Sequence, residues 1–315
     1  MGAIKKLWRI CCMRTLVPMA KLLALLTIAV SFAACADKDH APAQAPEQAA
    51  SEIHPRYVSI LPNATEILFA LGAGDNVVGA TRYCDRPKEA LKVPRVGGML
   101  DVSVEAVLAQ KPDVVIGSPT VLAGRLAKLL SASGTKLVPL YFETIDDLKR
   151  GIHEIGQAIS KEKEASDMLA TLEKDLKTLD GRAKLPEGNP IKVLMIVGRS
   201  PLVVAGKTSF LGSLMDMMGV QNVVDADKLT FPTWSFEQVL QSAPDVVING
   251  MVGASDLQSV LAGAGVEAAK SGRYVSEVNL AILRPGPETV LGAIELADAI
   301  KSVYQANPPT KEVAE

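Results

Sequence analysis

Cys84 sits between Arg82, Asp85 and Arg86, a charged setting of the kind that lowers a thiol pKa and prepares a nucleophile. Such a thiol needs a base, and neither His54 nor His153 stands in a partner motif, so a structural thiol is the stronger reading. Gly206-Lys207-Thr208 matches the end of a phosphate-binding loop, but Pro201 holds the place of the first glycine in G-x4-G-K-[ST], and the backbone cradle for phosphate cannot form. The three histidines, His40, His54 and His153, are scattered and give no metal-ligand spacing. What remains are aromatics and arginines in loops. Tyr83, Phe231 and Trp234 offer flat faces for stacking on a flat or bulky ligand, while Arg82, Arg199 and Arg284 offer planar cations for an anionic chelate. Two carboxylates, Glu105 and Glu237, recur in matching surroundings.

That recurrence is a duplication. Asp101 to Gly117 (DVSVEAVLAQKPDVVIG) matches Thr233 to Asn249 (TWSFEQVLQSAPDVVIN) at an offset of 132, with Ser103/Ser235, Glu105/Glu237 and Pro112 to Ile116/Pro244 to Ile248 in register. Each copy reads as a short helix capped by Ser, with Glu in its first turn where the helix dipole favours an anion, a stop before Pro, and then a strand. Unbroken Val-Val-Ile suits a strand buried on both faces of a parallel sheet. Further strands are expected at 57–61, 76–80, 136–141 and 191–197. Helices are expected at 64–71, opened by an Asn63-x-x-Glu66 capping box, and at 122–130, 210–218 and 287–303. Between the halves the apolar period predicts a helix over 145–159 and a second over 161–179 that stiffly joins them. Alternating β and α elements imply two Rossmann-like α/β lobes with mostly parallel sheets joined by a long rigid helix. The expected organisation is a signal peptide over 1–34, a flexible tether over 35–54, a first lobe over 55–159, a bridging helix over 160–181, a second lobe over 182–306 and a disordered tail over 307–315.

The chain has 33 Lys and Arg against 35 Asp and Glu, a net charge of -2, without the basic excess that nucleic-acid binding needs. The first 34 residues hold five of those bases and no acid, which leaves the rest near -7. Leu22 to Ala34 is an uncharged apolar run behind Lys21, too short to span a bilayer and suited to a signal-peptide core. Its end, Phe32-Ala33-Ala34-Cys35, resembles the lipobox of bacterial lipoproteins, in which Cys35 would carry lipid. Ala34-Cys35-Ala36 also offers a cleavage site that would release a soluble chain. The Ala-, Pro- and Gln-rich stretch to Ala50 lacks the apolar surface to fold.

Several short strings then carry a resemblance: Ile60 to Ile67 (ILPNATEI), Val78 to Pro87 (VGATRYCDRP), Pro94 to Gly98 (PRVGG), Gly206 to Leu211 (GKTSFL) and Arg284 to Pro287 (RPGP). In their order and spacing they resemble the substrate-binding proteins of bacterial ABC importers for vitamin B12, ferric siderophores and haem, the class III periplasmic binding proteins. The resemblance implies a non-catalytic, extracytoplasmic chain, expected to act as a monomer. It would take ligand in a cleft between two lobes and dock on an ABC permease and its ATPase subunit through one carboxylate per lobe, here Glu105 and Glu237. No cofactor is implied; the expected ligand is a cobalt corrinoid first, a ferric chelate second and haem third. In doubly wound lobes ligands meet the loops at the carboxyl ends of strands, which puts Pro62, Asn63, Arg82, Tyr83, Met99, Arg199, Phe231, Trp234 and Arg284 in the expected site. Haem-binding relatives tend to carry a ligating Tyr just after the Val-Gly of this loop, whereas Val96 is followed by Gly97, Gly98 and Met99.

Overall fold

The computed structural model describes residues 54–225, 229–251, 253 and 256–309. The expected signal peptide, Cys35 with nearly all of the tether, and the chain after residue 309 lie outside the described residues.

The first half runs β1 (Tyr57–Ser59), α1 (Pro62–Ala70), β2 (Val77–Ala80), α2 (Val104–Ala109), β3 (Val114–Gly117), α3 (Gly124–Ala132) and β4 (Lys136–Pro139). Two helices follow, α4 (Ile145–Ala158) and α5 (Glu162–Leu179). The second half runs β5 (Lys192–Arg199), β6 (Leu202–Val204), α6 (Phe210–Met217), β7 (Gln221–Asn222), α7 (Phe236–Ser242), β8 (Val246–Asn249), α8 (Leu257–Gly263), α9 (Glu267–Lys270), β9 (Tyr274–Val275) and α10 (Thr289–Ala306). The first sheet has the order β2-β1-β3-β4, all parallel. The second has the order β6-β5-β8-β9 with β7 beside β5, parallel except for the β5–β6 hairpin. The protein is a mixed α/β fold of two lobes linked by helices, with mostly parallel sheets.

The duplicated segment shows why its residues recur. Ser103 and Ser235 cap α2 and α7, their hydroxyls accepting the amides of Ala106 and Gln238. Both helices then end in a left-handed residue just before the proline, Lys111 at φ 46° and Ala243 at φ 41°. Asp113 and Asp245 follow. Their carboxylates accept an amide at the start of the neighbouring strand, that of Arg56 just before β1 at 2.7 Å and that of Lys192 opening β5 at 2.8 Å, and their own amides donate back to those residues' carbonyls. The Pro-Asp pair thus stops a helix and sets a strand's register in one step. Val-Val-Ile is fully buried in both copies because each sheet is covered on both faces. Val114 and Ile116 face the shared interior and Val115 the outer helices, and Val246, Ile248 and Val247 do the same.

That shared interior is one continuous core. Leu148, Ile152 and Ile155 of α4, Leu172, Leu176 and Leu179 of α5 and Leu296 and Ile300 of α10 join the inner faces of both sheets in a single cluster. At the elbow between α4 and α5, a side chain on Gly156 would run into Ala165, so glycine allows the two helices to pack in contact.

The capping box expected at Asn63 does not form. Pro62 starts α1 at its first turn, Leu61 precedes it without a side-chain cap, and Asn63 lies inside the helix. Proline is favoured at N1 because the amide it lacks would have no helical partner there. Strands β6, β7 and β9 were not expected; they are two or three residues long, too short to show a period. Residues 140 and 141, expected in a strand, lie beyond the end of β4.

Candidate functional site

The carboxyl ends of both sheets carry loops whose large side chains stay exposed. On the first lobe, β2 runs into the loop 81–85, which is held from inside. Cys84 is fully buried, with its Sγ 3.1 Å from Thr65 Oγ1 and 3.2 Å from Thr81 Oγ1, and Arg95 donates to the carbonyls of Thr81 and Cys84 at 2.8 and 3.1 Å. The thiol is therefore packing beneath the loop and out of reach of a solute. With the loop fixed, Arg82 and Tyr83 point outward. Tyr83 is 47% exposed, and the Arg82 guanidinium lies 5.2 Å from its ring centroid, a cation–π contact. The same guanidinium meets Asp101 at 2.8 Å and holds that carboxyl below its usual range by hydrogen bonding. A side chain on Gly98 would strike both members of the pair, so glycine there lets the ion pair lie across the chain. Met99 and Leu100 stay exposed beside it, as does Tyr141 beyond β4.

On the second lobe, residues 230–234 run along β6: Gly206 N–H donates to Thr230 O, Val204 N–H to Pro232 O and Trp234 N–H to Leu202 O, at 2.9 to 3.0 Å. This strap turns Phe231 outward, 47% exposed, and lays Trp234 half-buried against the lobe's own apolar cluster. Phe231 lines a cavity of about 280 Å³ whose wall is shared between the lobes: Phe142 and Glu143 come from the first, and Phe210, Leu283 and Pro285 from the second. Arg199, at the end of β5, pairs with Asp256 at 2.6 Å and holds that carboxyl low.

The lobes also meet through charge. Arg284 reaches Asp85 at 2.5 Å and Glu66 at 3.7 Å, and Arg86 lies 3.5 Å from Glu66. Burial pushes the Glu66 carboxyl up, against the pull of Arg86 and Arg284. Its Oε1 is buried without a hydrogen-bond donor, although both guanidinia are near. Pro62, in the first turn of the helix that carries Glu66, is buried, and Asn63 is half-buried.

Tyr83, Phe231, Met99, Arg82 and Arg284 thus stand on loops and Arg199 closes β5, while Trp234 packs on its own lobe and Pro62 is buried in the first turn of α1. Tyr141, Phe142 and the aspartates paired to the arginines were not singled out from sequence; the position of Tyr141 at a strand's carboxyl end was the available signal. Glu105 and Glu237 are exposed in the first turns of α2 and α7. Hydrogen bonding with Ser235 draws the Glu237 carboxyl below its usual range. A second, larger cavity of about 1070 Å³ lies between α4, α5 and α6, among Lys149, Glu173, Lys177 and Asp216, and holds none of the expected site residues. Among the described residues no group of three His, Cys, Asp or Glu is placed to hold a metal ion.

Known proteins share this geometry and its sequence. The chain is 30% identical over 251 residues to the uncharacterised ABC transporter substrate-binding lipoprotein YvrC of Bacillus subtilis, covering 78% of this chain and 79% of that protein. It is 28% identical over 212 residues to the vitamin B12-binding protein of Pectobacterium atrosepticum, covering 66% and 75%. The apo form of the periplasmic heme-binding protein RhuT from Roseiflexus superposes with a TM-score of 0.69 at 25% identity, over 79% of this chain and 98% of that one. Residues 58–275, from the first strand to the last, match the family model described as periplasmic binding protein. A two-lobed fold, a bridge of packed helices and a match across both sheets lead to one conclusion: the chain belongs to the periplasmic binding protein family, whose members bind and carry a solute outside the cytoplasm and do not transform it.

Proposed function

We propose that the protein is the substrate-binding component of an ABC importer, capturing a cobalt corrinoid in the interlobe cleft and handing it to a permease driven by a separate ATPase subunit. The observation that carries this reading is the pair of half-exposed aromatics on the two lobes, Tyr83 and Phe231, each set on a loop anchored from behind. A corrinoid has broad faces for such rings and amide arms for polar rims. Similarity to a vitamin B12-binding protein supports the ligand class. A ferric siderophore is the second reading, since it brings its own metal ligands and the half-exposed rings of Tyr83 and Phe231 would cover it as well.

In this proposal Glu105 and Glu237 are the permease contacts, one from each lobe, and the duplication supports it. A single helix-capping carboxylate needs no second copy, whereas two separated charge-assisted pairs fix orientation as well as affinity. Cys35 would anchor the chain to a membrane by lipid, leaving the binding body free on its tether.

The test uses colour. The exported protein is offered cyanocobalamin, a ferric siderophore and haem separately, freed of unbound ligand by gel filtration, and its visible spectrum recorded. A retained corrinoid spectrum near one-to-one is the expected result. A colourless peak with cyanocobalamin, beside colour with an iron chelate, would overturn the corrinoid assignment.

A further inference from the structure

We propose that the cleft selects metal chelates of zero or positive net charge and rejects polyanionic ones, because its rim arginines are already matched by carboxylates of the chain itself. This rests on the reading above that the ligand is a chelate bound between the lobes. Arg82 meets Asp101 at 2.8 Å, Arg199 meets Asp256 at 2.6 Å, and Arg284 meets Asp85 at 2.5 Å with Glu66 behind it. Arg86 lies beside the same Glu66, and Arg95 is turned inward onto two carbonyls. Glu143, on the interlobe cavity, adds a further carboxylate. Glu66, Asp85, Asp101 and Asp256 therefore answer the four arginines Arg82, Arg86, Arg199 and Arg284, with Glu66 shared between Arg86 and Arg284.

The pairing is tertiary. Its members are 19, 57 and 199 residues apart in sequence, so the loops show arginines while the folded rim shows ion pairs. A ligand carboxylate or catecholate could draw a guanidinium away from its aspartate, but the aspartate would stay a few ångströms off and repel what replaced it. The carboxyls of Asp85, Asp101 and Asp256 are all held low by their arginines, so they remain ionised at any neutral pH. A polyanion would thus lose its water for no surplus of positive charge. An amide does better, since an Arg–Asp pair exposes donors beside acceptors and a primary amide supplies both. The rim suits corrinoid amide arms or a neutral ferric trihydroxamate, with the rings of Tyr83 and Phe231 supplying apolar contact.

The experiment measures the affinity of the exported, full-body protein for cyanocobalamin, a neutral ferric trihydroxamate, a ferric tris-catecholate and haem, at low and high salt. The best neutral probe is expected to bind at least about tenfold more tightly than either anionic one, with an affinity that changes less than about twofold across the salt range. Asp101→Asn and Asp256→Asn each free one guanidinium, and each is expected to shift the anionic-to-neutral affinity ratio about threefold to fivefold toward the anion at low salt. Tightest binding of the tris-catecholate or haem by the unaltered protein would overturn the inference while leaving the chelate reading intact. So would a ratio unmoved in both variants when circular dichroism shows them folded. Binding of none of the four probes would overturn the chelate reading itself, and this inference with it.

Discussion

Removing the Phe231 ring tests the cleft most directly. The ring is 47% exposed in the free protein. An aromatic side chain presents roughly 200 Å², so about 100 Å² is available for a ligand to cover. At about 25 cal/mol per Å² that burial contributes ~2.5 kcal/mol, and stacking geometry adds up to ~1 kcal/mol. Incomplete coverage brings the expected loss in Phe231→Ala to about 2–3 kcal/mol, a rise in Kd of about 30- to 150-fold. Stability should change by less than ~1 kcal/mol, because the ring stands on a strap held by backbone bonds to β6 and not in the core. Tyr83 is equally exposed on the opposite lobe, so Tyr83→Ala should lose a similar amount, and the double variant should lose nearly the sum. Equilibrium dialysis against cyanocobalamin, read by visible absorbance, gives each Kd, with the thermal melt of each variant alongside. A change below about threefold in both single variants, with melts unmoved, would refute the placing of ligand between these rings.

Charge reversal at both proposed docking positions, Glu105→Lys with Glu237→Lys, should abolish ligand-stimulated ATP hydrolysis by the reconstituted importer while ligand Kd stays within about twofold; lost ligand binding would count against docking. Asp113→Ala and Asp245→Ala each leave a strand-opening amide without its carboxylate acceptor, which should cost about 1–2 kcal/mol and lower Tm by a few degrees in calorimetry; two unchanged melts would sink the register argument. The Glu66 carboxyl binds its proton more tightly folded than unfolded, so it favours folding below the ordinary value of 4.5, and that contribution is lost as pH rises through the raised folded value. The Tm of Glu66→Gln relative to the unaltered protein should therefore be higher at pH 7 than at pH 4, and an opposite trend would show that Arg86 and Arg284 outweigh burial.

The elements legible in the sequence were those whose signal is local. Ser103 and Ser235 announced their helices because a cap acts over three residues, and Val-Val-Ile announced strands because both faces of each sheet are covered. The apolar period of 161–179 was long enough to fix α5 within one residue. Asn63 and Glu66 fit the local pattern of a capping box, but α1 starts at Pro62 and the Glu66 carboxylate lies beside Arg86 and Arg284. Trp234 could be placed on a loop but not oriented, since only the partners of 230–234 along β6 decide which side chains face out. The aspartates opposite the rim arginines were hidden for the same reason: their pairing exists only once distant loops converge.

The continuous core through α4, α5 and α10 has a consequence for traffic at the membrane. A body whose lobes share one interior has little freedom to close, since packed helices do not absorb hinge rotations as a loop does. The separation of Glu105 and Glu237 would then be nearly the same in the empty and the loaded protein. A permease reading those two points would accept either form with similar affinity, so empty carriers would queue with loaded ones for the same transporter. Import would slow when the carrier outnumbers its solute, and overproducing the protein at limiting solute should reduce uptake where a hinged, shape-changing carrier would raise it.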